Sequence, residues 1–181
     1  MDFPNVVWPP LNVITPYHSD SLGQSTTLIM NGAASSAFTD EVVSYYPFVI
    51  RTAAIAVTMT YLQGGTQSGN VDLGIYTSTG GLIVSSGLIA QTTGTINTLH
   101  DVGLTDTLLT PGFYYMAIKC TSGTGTAFMR NPADEIAQST WPMFQETTGA
   151  NAALPTAATF ASTTITTPPL IVMGVHFSTL L

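Results

Sequence analysis

Hydrophobic and polar positions alternate with a period of two along much of this chain, most plainly in Val71–Leu82, VDLGIYTSTGGL. Val71, Leu73 and Ile75 fall on one parity, and Asp72, Gly74 and Tyr76 on the other. Ser-Thr-Gly-Gly then supplies the positive φ angles of a tight hairpin, before a second apolar run at Leu82–Val84. In Pro111–Cys120, PGFYYMAIKC, the residues Tyr114, Met116, Ile118 and Cys120 oppose Tyr115, Ala117 and Lys119. Both segments predict antiparallel strands buried on one face.

The same pattern predicts further strands at Tyr46–Ile50, Ala54–Leu62, Leu88–Gln91, Leu99–Leu104, Gly112–Cys120, Thr124–Arg130 and Leu170–Phe177. Along Ala54–Leu62 the period places Ile55, Val57, Met59 and Tyr61 together. Along the last strand it groups Ile171, Met173, Val175 and Phe177. Glycine-rich turns such as Gln63–Asn70 separate strands spaced by about ten residues, the pattern of a sandwich or jelly roll. About thirty threonines suit a pleated, solvent-facing surface. Helical periodicity is missing beyond one candidate turn at Ala133–Gln138. The predicted fold is all-β, a jelly-roll-like antiparallel β-sandwich of roughly eight strands.

Two segments fall outside this rhythm. Residues 1–44 carry Pro4, Pro9, Pro10 and Pro16, which favour extended chain. Phe3, Val7, Trp8, Leu11 and Ile14 make the segment too apolar for a solvated tail. It reads as an extended N-terminal arm, with one short strand at Thr27–Met30, ahead of a sandwich domain at 45–181. Those five apolar residues are candidate assembly contacts on a neighbouring subunit; packing across the chain's own sandwich is the alternative. Residues 140–169 are rich in Thr, Ala and Pro and contain Trp141, Phe144 and Phe160. They read as a long loop before the closing strand, projecting or making a subunit contact.

Composition sharpens this picture. Charged residues make up 7% of the 181 positions, hydrophobic ones 45%, and the mean hydropathy is +0.33. A typical soluble domain carries roughly 25% charged residues. So sparse a charge predicts a surface coated in Thr, Ser, Asn and Gly and partly covered by other subunits of an oligomer. The net charge is −7, and the three cations are Arg51, Lys119 and Arg130. That is too few to hold a phosphate backbone, so nucleic acid is not an expected partner. No apolar run approaches the ~20 residues that span a bilayer, so membrane insertion is not expected. The N-terminal MDFPNVVWPP lacks the basic region and apolar core of a secretory signal. Cys120 stands alone, on the apolar parity of its strand, as a small buried hydrophobe.

The candidate chemistry is thin. His18, His100 and His176 do not pair with one another or with carboxylates at metal-ligand spacing; His100 and Asp101 are neighbours that a strand points to opposite faces. No serine sits in a G-x-S-x-G elbow. Asp40–Glu41 and Asp134–Glu135 are neighbouring loop acids, solvated or, less favoured, on calcium, without a D-x-D-x-D-G loop. No catalytic residue, metal or cofactor is expected. Asp72 is expected to face outward and bond a neighbouring strand. Tyr76, Tyr115 and Trp141, with Phe144, are the candidate aromatic platform for a glycan; Tyr76 and Tyr115 share a parity and so an outer surface. Tyrosines so placed equally pack beneath a loop or a neighbouring chain.

Asn70–Gly87 and Leu109–Ala117 together form an N-h-D-h-G-I-Y-turn-G strand pair followed by L-x-P-G-x-Y-Y-h-A. This pattern resembles small β-sandwich structural proteins of tailed bacteriophage virions, over Tyr45 to Arg130. The resemblance implies a non-enzymatic virion subunit of fibre, tail-tip or head-decoration type, a homotrimer favoured, made in the bacterial host cytoplasm and associated with other virion proteins. A tail, fibre or decoration position is favoured over the shell, which in tailed phages needs long helices. A similar hairpin occurs in secreted carbohydrate-binding sandwiches. The alternative is therefore a carbohydrate-binding module or receptor-binding tip recognising a host surface glycan.

Overall fold

The computed structural model describes residues 17–19, 34–93, 95–130, 144–149, 151–160, 170–171 and 173–178. Within them the strands are β1 (Tyr17–Ser19), β2 (Ala34–Ala37), β3 (Val42–Ile50), β4 (Ala54–Leu62), β5 (Asn70–Thr77), β6 (Leu82–Ser85) and β7 (Ile89–Ala90). After a 3-10 turn at Gln91–Thr93 come β8 (Leu99–Leu109), β9 (Gly112–Cys120), β10 (Thr126–Arg130), β11 (Phe144–Thr147), β12 (Leu170–Ile171) and β13 (Met173–Ser178).

These strands form a six-stranded sheet, β11-β3-β9-β5-β6 with β7 also on β5, a four-stranded sheet, β1-β13-β4-β8, and a three-stranded sheet, β12-β10-β2. The last continues the second, because Gln63, just past β4, bridges to Ala127 of β10. Apart from the run β5–β7, which stays in one sheet, the chain passes back and forth between layers: β3, β5 and β9 lie in the six-stranded sheet, while β4 and β8 lie opposite. Strands remote in sequence thus become neighbours, the interleaving of a jelly-roll-like sandwich. Pairing is antiparallel throughout except between β1 and β13, which run parallel.

The main core lies between the layers. Val71, Leu73 and Ile75 of β5 and Met116, Ile118 and Cys120 of β9 pack with Met59, Tyr61, Val102, Met173 and Val175, all buried. The predicted apolar parities of β5, β9 and β13 therefore face inward, with Phe177 half-buried against the same core. In β4 the parity changes midway. Val57 has no cross-strand partner in either neighbouring ladder. That bulge brings Ala56, in place of Ile55 and Val57, to the buried side with Met59 and Tyr61.

The sandwich also starts earlier than position 45. β3 begins at Val42, β2 pairs with β10, and Phe38 and Val43 are buried. Residues 34–44 are thus part of the sandwich and not of an arm. Phe3, Val7, Trp8, Leu11, Ile14 and the predicted strand Thr27–Met30 lie outside the described residues. β8 runs on past Leu104 to Leu109, while the Leu88–Gln91 strand shortens to Ile89–Ala90.

Candidate functional site

The second face of the six-stranded sheet is the most distinctive region of the molecule. In register, Asp72 of β5 lies opposite Lys119 of β9, and Lys119 lies opposite Val43 of β3. One step along, Gly74, Ala117 and Tyr45 are aligned; next come Tyr76, Tyr115 and Pro47. A two-residue period sends all of these away from the main core. Yet Asp72, Tyr76, Lys119, Tyr115, Tyr45 and Val43 are all buried.

What covers them is the chain from Phe144 to Phe160. It starts as β11 on the open edge of β3, with Phe144 opposite Tyr45 and Thr147 opposite Val42. Thr148 N donates to Glu41 O at 2.8 Å. The segment then crosses the sheet as a strap. Lys119 Nζ donates to Gly149 O and Ala152 O, each at 2.9 Å. Leu154 N donates to Asp72 Oδ2 at 2.9 Å, and Tyr76 OH to Pro155 O at 2.6 Å. At the far edge Leu82 N donates to Thr156 O at 3.0 Å and Ala158 N to Gly80 O at 2.7 Å.

Glu146 folds the strap back on itself, accepting from Tyr45 OH and, at 2.7 Å, from Thr159 N. This return seats Phe160 against Tyr115, Phe144 and Tyr45, at ring-centroid distances of 4.5, 4.9 and 5.4 Å. Tyr45 and Tyr76 meet edge to face at 5.2 Å. Leu154 fills the space over Gly74, where an added Cβ would meet Leu154 Cδ1 at 2.7 Å and Val84 O at 2.9 Å. Only glycine lets the strap come this close.

Two charges are built into the covered face. Asp72 also accepts from Ser85 Oγ at 2.6 Å and Ser86 Oγ at 3.2 Å, so its carboxylate is well supplied with donors. Burial pushes the Lys119 ammonium below its usual range, against the opposing pull of Glu41, Asp40 and Asp72. Burial likewise raises Tyr45, Tyr76 and Tyr115 above the ordinary tyrosine value. This chemistry grips a main chain: an ammonium on carbonyls, a carboxylate on an amide, and a phenol on a further carbonyl.

Tyr76 and Tyr115 share a face, as their parity predicts, and are direct cross-strand partners. The face is not an outer surface, however: Tyr76 is 0% and Tyr115 4% exposed. They pack beneath a loop, the other role their positions allowed, and with the strap in place neither offers a platform to a glycan. Asp72 bonds a neighbouring strand as expected, through Ser85 of β6, but is buried beneath the strap where it was expected to face outward. Phe144 belongs to the same buried cluster, and Trp141 lies outside the described residues. Residues 144–149 and 151–160 are accordingly not a projecting loop, because their main chain completes the hydrogen bonding of the sheet edge and face.

Elsewhere His100 Nδ1 lies 3.3 Å from Tyr61 OH, while Asp101, on the opposite face, accepts from Thr60 Oγ1 and sits 3.9 Å from His176 Nε2. The side chain of His18 is outside the described residues. Cys120 is buried against Ser68 O at 3.5 Å, and burial pushes its thiol up. Among the described residues no three His, Cys, Asp or Glu side chains are grouped to hold a metal ion, and no helix is long and apolar enough to cross a membrane. A recess lined by Phe38, Val42, Ser44, Met129, Gln145 and Ile171 holds about 10 Å3, room for a single water.

The Asp72–Lys119 pair was not predicted as a unit. Its signal was present: two opposite charges, rare in this chain, each on the polar parity of an otherwise apolar strand. No protein-family model, curated protein or solved structure gives a significant match to this chain.

Proposed function

We propose that this protein is a structural subunit of a bacteriophage particle, in a tail, fibre or head-decoration position, and that its work is assembly and not catalysis. The observation that carries this reading is the combination of a sandwich covered on both faces of its central sheet with a chain in which only 7% of the residues are charged. Among the described residues four large apolar side chains stay exposed: Leu88, Ile96, Leu99 and Leu108, at 41, 47, 48 and 56%. Leu99 and Leu108 lie near the two ends of β8, an edge strand of its sheet. Exposed apolar groups on an edge strand with so few charges fit burial by further subunits. The resemblance over Tyr45–Arg130 supports the same reading, and a homotrimer remains the favoured assembly.

Light scattering on the full-length chain across a concentration series tests it. A closed oligomer that persists on dilution is expected; a monomer at every concentration would overturn the assembly reading. Removing residues 1–16, which stops short of β1, is expected to abolish assembly while leaving the β circular dichroism spectrum intact. A truncated chain that assembles normally would show that Phe3, Val7, Trp8, Leu11 and Ile14 are not the contacts. The glycan-binding alternative loses Tyr76 and Tyr115 from its platform and rests on Trp141, so Trp141→Ala separates the two: sugar affinity falls only under that alternative.

A further inference from the structure

We propose that the strap, residues 144–160, opens and closes on the six-stranded sheet as a unit separate from the sandwich, with Asp72 and Lys119 as its latch. When open, it uncovers an aromatic face formed by Tyr45, Tyr76 and Tyr115. The inference does not depend on the phage reading, because it rests on how the strap is held.

The two apolar clusters of the molecule lie on opposite faces of the same sheet. The main core, between the layers, receives no side chain from the strap. To the second cluster the strap contributes one fully buried apolar side chain, Leu154; Phe144, Ala158 and Phe160 are only half-buried. Its departure therefore leaves the main core closed. It also leaves intact the ladders that join β3, β9 and β5, since β11 pairs only with the outer edge of β3. A segment whose core and ladders are separate from those of the main sandwich is a unit that can open below the free energy of global unfolding, here by exposing Val43, Tyr45, Tyr76, Tyr115 and Ala117.

The latch favours release as well. Closure strips water from the Lys119 ammonium and the Asp72 carboxylate and replaces it with two carbonyls and one amide, while the Ser85 and Ser86 hydroxyls on Asp72 belong to β6 and the residue after it and not to the strap. Opening returns both groups to water, so the desolvation cost of these charges sets itself against the closed state. The lowered proton affinity of Lys119 reflects that cost. What the two charges give in exchange is register. A carboxylate fixes the amide of Leu154, while an ammonium fixes the carbonyls of Gly149 and Ala152, so the strap sits in one place and one direction.

Native-state hydrogen exchange by NMR on the full-length chain tests this. The amides of Leu154 and Ala158, bonded to Asp72 and to Gly80 O, are compared with sheet amides of β5 and β9. The strap amides are expected to exchange at least about tenfold faster than the sheet amides. Asp72→Asn is expected to accelerate the strap amides by about a further tenfold without moving those of β5 and β9. Tyr76→Phe, which removes the phenol that bonds Pro155 O and Tyr45 and leaves the charged latch in place, provides a milder second variant should the first not fold. Equal exchange of strap and sheet in the parent, or equal acceleration of both in the variants, would overturn the proposal.

Discussion

At the scale of single residues, the energetics concentrate where a polar or bulky group is buried on the strapped face. Lys119→Ala removes the donor to two carbonyls and the cation that offsets Asp72, which stays buried. A loss of about 3 kcal/mol is expected, read as a lower urea midpoint at unchanged slope. Leu154→Ala empties the space above Gly74 and should cost about 2 kcal/mol, at the lower end for such truncations because the strap can settle into the gap. If Leu154→Ala leaves the midpoint unmoved, the strap contributes nothing to stability. Asp72 shows how little of this was readable beforehand. Its parity is plain in the sequence, but that parity says only "away from the core", and water was the default occupant of that side.

At the scale of elements, turn chemistry and registers decide how the strap is received. Gly80 has φ +94°, in the left-handed region, and an added Cβ would lie 2.6 Å from Ala158 O. Gly80→Ala therefore combines backbone strain with a clash against the strap, and a cost of about 2–3 kcal/mol is expected in thermal or urea unfolding. Strand positions were the most legible feature. Ala54–Leu62 and Gly112–Cys120 coincide with β4 and β9, because strict alternation between turns leaves one solution. The parity of β4 was legible only from Met59 onward and not up to Val57, since a bulge is fixed by two neighbouring strands and not by local sequence. β11 was missed for a related reason: FQET has no alternation of its own and becomes a strand only because β3 offers it an unpaired edge.

At the scale of the whole molecule, burial of tyrosines couples stability to alkaline pH. Tyr46 is pushed up to about 12 by burial, and Tyr45, Tyr61, Tyr76 and Tyr115 are raised by burial too. In the unfolded chain the same phenols lose their protons near pH 10. Above that pH the unfolded state binds fewer protons than the folded one, so this stabilisation is complete below about pH 10 and declines as pH rises toward 12 and beyond. Absorbance at 295 nm should show much less tyrosinate at pH 11 in the native chain than in the same chain in denaturant. Coincident titration curves would mean that the aromatic clusters are open to solvent.

The sequence by itself determined that this is an all-β chain, where its longer strands lie, and which side of β5, β9 and β13 is apolar. Those features follow from a two-residue period and from turn residues, both local. It also determined the charge poverty on which the assembly reading stands. Only the tertiary structure decided what meets the other side of the central sheet. Residues 144–160 reach Asp72, Tyr76 and Lys119 across long sequence separations, through main-chain groups that every residue possesses and no side-chain pattern advertises. The tyrosines were visible as a pair from the sequence; whether they met water, sugar or protein depended on where a remote and unpatterned segment came to rest.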